Sequence, residues 1–97
     1  MPLMVQLGNV GSEVERALRA HEGAKQERFE RALDRALELF DLTANDARWS
    51  GHRRREILRA REQFCRVFFD AGAEPGLADY LREYFLQFAV AARAQGA

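Results

Sequence analysis

The sequence predicts an all-α fold, a three-helix bundle with a long first helix, and three observations carry that reading. Apolar residues recur at three- and four-residue spacing along the first half, at Val14, Leu18, Phe29, Leu33, Ala36, Leu37 and Phe40. A second stretch places residues 54, 57, 61, 64 and 68 on one seam with the 3-4-3-4 spacing of a heptad. A third, "PGLADYLREYFLQFAVAARA", lines one helical face with Leu77, Tyr80, Leu81, Tyr84, Phe88 and Ala91.

The boundaries follow from local chemistry. Ser12 followed by Glu15 is a capping-box signature, so the first helix is expected over 12–41, after a loose, Gly-containing leader at 1–11. The apolar phase holds across Gly23 and favours one continuous helix; a break there is the alternative. "DLTANDARWSG" is the turn region, with one short helical turn from Thr43 to Trp49. Ser50 can cap a second helix over 51–70, and "DAGAEPG" ends it. Pro75 suits the first turn of a third helix running to 93.

Bulk composition narrows the class. Residues 1–97 suit one helical domain with a modest core. An apolar fraction of 47% excludes disorder as the main state. Fifteen acids balance fifteen bases, which argues against a dedicated DNA or membrane-surface binder. No apolar run approaches the length of a membrane span, and "MPLMVQL" lacks a signal peptide's basic flank. The single cysteine, Cys65, permits no internal disulfide and leans towards the cytoplasm; its phenylalanine neighbours mark it as a buried small hydrophobe. Lys25 is the only lysine among the bases, a bias that suggests a GC-rich, bacterial genome.

Charge is where the sequence departs from the expected pattern. "GHRRREILRAREQF" puts three arginines at the start of a helix, against the positive end of its dipole, at roughly 0.3–1 kcal/mol per exposed charge. Two arginines, Arg54 and Arg61, interrupt the apolar seam formed with Ile57, Phe64 and Phe68. Beside the first helix's apolar face run five acids: Glu27, Glu30, Asp34, Glu38 and Asp41. A hairpin folded about residue 46 brings Arg54 to Asp41 and Arg61 to Asp34 and Glu30. These are therefore expected to be structural charge pairs that set register. Removal of one partner from a truly buried pair would cost about 3–5 kcal/mol. Arg53, Arg55, Arg59 and Arg66 lie outside the seam. They are the side chains available to an anion or a partner, Arg53 and Arg55 beside free helix N–H groups. His52 and His21 read as surface residues, and Trp49 as a lid over the turn.

The third helix has more apolar surface than one contact can cover. Phe85 and Ala92 widen its main face, and Leu86 and Val90 lie opposite. A two-fold homodimer through Tyr80, Tyr84, Phe85, Leu86, Phe88 and Val90 is the expected cover; the alternative is that the leader or the start of the first helix folds over it.

These features favour a small non-catalytic interaction or adaptor protein that self-associates or binds another protein, with no cofactor, no metal and no membrane. A nucleic-acid binder is the next reading: residues 51–66 carry six arginines against two glutamates, and "TANDARWSGHRRREILRARE" has the form of a short helix, a turn and a recognition helix. Two family resemblances bear on an enzyme. "ERFE" at 27–30 and "ELFD" at 38–41 resemble the ExxE and ExxD elements of the all-α MazG-type nucleotide pyrophosphohydrolases. That likeness implies Mg²⁺ ligands at Glu27, Glu30, Glu38 and Asp41. It covers fewer than about 20 residues, and both elements fall on one predicted helix, whereas the family sets them on different helices. A long helix followed by two shorter ones, with "RREIL" at 54–58, is similar to the small all-α chorismate mutases and would make Arg54, Arg55 and Glu56 the ligand-binding positions. The first helix lacks that family's basic pattern at matching spacing.

Overall fold

A computed structural model describes residues 1–96 and shows four helices with no strand among the described residues. They are α1 (Leu3–Glu22), α2 (Gln26–Ala44), α3 (Gly51–Phe69) and α4 (Leu77–Gly96). The all-α class expected from periodicity is observed; the count of three is corrected to four.

The expected helix over 12–41 is two helices. α1 ends at Gly23, where Lys25 N–H donates back to the Ala20 carbonyl at 2.8 Å across Ala24, whose φ is +55°. That is the left-handed closing turn that terminates many helices, with alanine in the position glycine usually fills. The leader is not loose. Residues 3–11 are helical, and Ser12 is no cap: its hydroxyl donates to the Gly8 carbonyl one turn back, at 3.1 Å. Ser50 does stand at the N-cap of α3 in an extended conformation, yet its side chain makes no capping bond. Gly51 follows at φ +52°, where a glycine is needed. Pro75 and Gly76 lie in the turn before α4, which starts at Leu77 and runs three residues beyond the expected end.

α1 packs against α2 and α4, and α3 packs against the same two helices, so the four form a ring in chain order. The α1/α2 pair and the α3/α4 pair are therefore opposite edges of the bundle. The contact of α1 with α4 is close because glycine faces it. A Cβ on Gly11 would fall 2.8 Å from Phe85 Cβ, and Gly8 lies over Ala92 and the Phe88 carbonyl. α3 is held instead by rings. Phe64 stands 5.7 Å from Phe40 and 5.1 Å from Phe68, and Phe68 closes on Phe29 at 4.8 Å and on His21 at 5.0 Å. Phe40 reaches Phe85 at 5.8 Å, so one α2 side chain joins three helices.

This arrangement revises the expected self-association surface. Phe85 and Phe88 are 5% and 2% exposed and belong to the core under α1. Tyr84 is half-buried, and Tyr80, Leu86 and Val90 remain exposed. Leu58 and Phe69 on α3 and Leu42 on α2 are exposed too, scattered over separate helices. Cys65, expected to be buried, is half-buried in a shallow groove with Leu58 and Phe69.

The register between α2 and α3 also differs from expectation. α2 continues to Ala44, and the connection 45–50 lets α3 begin past its end. Arg61 consequently meets Asp41, at 2.9 Å, rather than Asp34 or Glu30 seven residues or more away along α2. Arg54 donates to the Ala44 carbonyl at 2.9 Å, not to Asp41. This contact explains the charge at the start of α3: a guanidinium that opposes its own helix dipole sits at the negative, carbonyl-rich end of α2. The Arg61–Asp41 pair is 35% and 57% exposed, so its strength is that of a solvated pair. Asp41→Asn is expected to change the unfolding free energy by less than about 1 kcal/mol in urea titration; a cost above about 3 kcal/mol would mean the pair is desolvated.

Candidate functional site

The arginines singled out by their position divide in the fold. Arg53, Arg55 and Arg59 come together on one side of a cleft between α3 and α4, with His52 and Glu56; Tyr80, Tyr84 and Gln87 form the other side. Its volume is about 560 Å³. Arg66 is elsewhere: it pairs with Asp70 at 3.1 Å, approaches Glu74 at 3.6 Å, and steadies the end of α3.

The cleft rests on an ordered network. Arg53 donates to Glu56 Oε1 at 3.0 Å, and Tyr84 Oη donates to the same oxygen at 2.7 Å. The Arg53 guanidinium lies 5.5 Å from the Trp49 ring centre and 5.8 Å from that of Phe88, within cation–π reach of both. Trp49 is buried, and its Nε1–H has no hydrogen-bond partner among the described residues. His52 Nε2 is 3.8 Å from Glu56 Oε2. Glu56 is thus the hub of the cleft, joining α3 to α4.

Burial, reinforced by the hydrogen bond to Glu56 and its charge, pushes the Tyr84 phenol well above its ordinary value of 10.0. The sign of the linkage is direct. Below pH 10 the phenol is neutral in both the folded and unfolded chains. Above it the unfolded chain releases the proton first, so folded stability falls as pH rises past 10. Alkaline denaturation of the wild type is therefore expected to set in earlier than that of Tyr84→Phe, once both are normalised to neutral pH. Coincident pH profiles would show that Tyr84 ionises normally.

Arg55 and Arg59 stand apart from this network. They are one turn apart on α3, exposed, and neither has a carboxylate within ion-pair distance among the described residues. Like charges at this spacing repel. The only carboxylate lining the cleft already serves Arg53 and Tyr84. The first turn of α3, whose N–H groups receive no side-chain cap, adds positive potential at the same end. Three guanidiniums and one carboxylate line the cleft, and no cysteine or serine is among its lining residues.

The positions that carried the enzyme resemblances do not converge. Glu30 accepts a bond from Gln26, Glu38 pairs with Arg35 at 3.4 Å, and Asp41 pairs with Arg61, while Glu27 and Asp34 are exposed along the same ridge. No group of three or more His, Cys, Asp or Glu side chains is set to hold a metal among the described residues. Arg54, Arg55 and Glu56 point to three different partners or to none.

One feature absent from the sequence reading is a second groove, between α1 and α2, of about 530 Å³. Arg16, Arg19, Lys25, Arg28, Arg31 and Arg35 line it. The signal was available: Arg28, Arg31 and Arg35 keep the same 3-4 spacing as the acids on the neighbouring flank of α2. With 12–41 read as one helix, the basic row has no neighbouring helix to form a groove with. No helix of the described residues is long and apolar enough to cross a membrane. Comparison with protein-family models, with curated proteins and with solved structures finds no match to this chain.

Proposed function

We propose that this chain is a non-catalytic binding module, and that the α3/α4 cleft receives an acidic group of its partner between Arg55 and Arg59. The observation that carries the proposal is the unbalanced pair itself: two exposed guanidiniums on the wall of a cleft whose one carboxylate is already shared by Arg53 and Tyr84. A bidentate anion would relieve their repulsion and gain charge-assisted hydrogen bonds. The underlying network fixes the wall in place before the ligand arrives, which lowers the cost of binding.

Self-association is not required by this reading. With Phe85 and Phe88 under α1, Leu86 and Val90 are the apolar remainder of the expected interface on the outer side of α4, far less than the area a stable dimer buries. A reducing, cytoplasmic setting and a bacterial source accompany the proposal, on the strength of one free cysteine and the arginine bias.

The test is thermal denaturation in inorganic phosphate against chloride at matched ionic strength. Phosphate is expected to raise the Tm of the wild type by more than that of Arg55→Ala/Arg59→Ala. Equal shifts in both, or none in either, would overturn the assignment. The half-exposed Tyr80 ring beside the two guanidiniums favours a second reading, in which the anion is a nucleic-acid phosphate and the ring stacks on a base. Oligonucleotide affinity that does not weaken with salt would exclude it.

A further inference from the structure

The opposite edge of the bundle carries a second basic groove. In the α1/α2 groove six cationic side chains face a single lining carboxylate, Glu13, which is taken by Arg16. Arg19 is 3.2 Å from Glu15, but that carboxylate is also held by Arg82 at 2.8 Å. Arg35 pairs with Glu38 outside the groove. Lys25, Arg28 and Arg31 have no carboxylate within ion-pair distance among the described residues. Between the two basic rows lie Ala20 and Ala32, both buried and small. They leave an apolar floor with depth above it.

We infer that this groove docks an acidic amphipathic helix of a partner protein. Three features select that occupant. The basic rows flank an apolar floor, which matches a helix with an apolar stripe edged on both sides by carboxylates. The cations run from Lys25 to Arg35, about 15 Å at the helical rise, or three turns of a docked helix. The third feature discriminates against nucleic acid. The far flank of α2 carries the exposed Glu27, Glu30, Asp34 and Glu38, so a phosphate backbone that extends past the basic rows on that side would run onto an acidic ridge. No aromatic side chain lines the groove to stack a base. The small floor residues serve the partner's larger apolar side chains, as small-to-large packing between helices requires.

The probe is a fluorescein-labelled helical peptide of about 18 residues with a leucine stripe edged by glutamates, titrated against the full chain at about 0.15 M salt. Micromolar binding is expected. Arg31→Glu should weaken it about tenfold, while Arg93→Glu, the same charge change at an exposed site on α4, should leave it within about twofold. A permuted peptide of the same composition, with its leucines dispersed, should bind about tenfold more weakly. Equal binding of the permuted peptide would reduce the groove to a general charge attraction and overturn the inference. Tighter binding of a single-stranded or duplex oligonucleotide, weakened by Arg31→Glu, would overturn it in favour of nucleic acid, and so would no peptide binding in favour of an ordinary solvated face. None of these outcomes bears on Arg55 and Arg59, which stand on the other edge of the bundle.

Discussion

Gly11→Leu is expected to destabilise the fold by about 3 kcal/mol or more, seen as a fall in Tm of more than about 10 °C. The reason is the closeness of α1 to α4. Even a bare Cβ at residue 11 would stand 2.8 Å from Phe85 Cβ, 3.2 Å from its Cγ and 3.3 Å from its Cδ1. Phe85 cannot swing away, because it is 5% exposed and hemmed in by Phe40, Tyr84 and Phe88. The whole of α1 must lift instead. Gly11→Ala sets two effects against each other: alanine favours the helix by about 1 kcal/mol, while its methyl group forces a smaller displacement. It should therefore lie between the wild type and the leucine variant. A leucine variant as stable as the wild type would show that α1 is not seated on Phe85.

Phe40→Ala is expected to cost about 3–5 kcal/mol. That is a large share of the roughly 5–15 kcal/mol available to a domain of this size, so the variant should show a substantial unfolded population at 37 °C. Phe40 is fully buried, and its ring touches Phe64 of α3 and Phe85 of α4. Its loss removes one of the ring contacts that tie α3 to the rest of the bundle. Leu42→Ala, two residues along on the 57% exposed side of the same helix, should change stability by no more than about 0.5 kcal/mol. Urea denaturation followed by near-UV dichroism compares the two. Equal effects would mean that α2 is rotated from the orientation described.

The helical class and the extent of α3 were legible because periodicity and turn residues agree there. The first helix was misread for a specific reason. From Leu18 to Phe29 is eleven residues, close to three turns, so the apolar phase returns to the same face whether or not the chain breaks between them. Phase could not distinguish one helix from two, and the residue that turns left-handed is Ala24, one position after the glycine that hinted at it. The N-terminal segment was misread because its glycines look like a loop signal. Gly8 and Gly11 are helical and small so that α4 can approach, a tertiary demand with no local signature. In the cleft, Arg55 and Arg59 were readable as outward-facing bases. Arg53 shares that outward reading, but the fold pairs it with Glu56 one turn on, and Trp49, Phe88 and Tyr84 reach the cluster only through the fold.

The pairing of α1 with α4 also sets the order in which this protein can be made. Gly11 and Phe85 are 74 residues apart, whereas Arg61 and Asp41 are separated by 20. As the chain leaves the ribosome, α1 and α2 can close on each other within microseconds of emerging. The strip of α1 around Gly8 and Gly11 must then wait for α4. At about 5–20 residues per second the intervening synthesis lasts roughly 4–15 s. For those seconds a nascent chain exposes an uncovered apolar strip, the interval in which a holding chaperone would recognise it and in which two unfinished chains would most readily entangle.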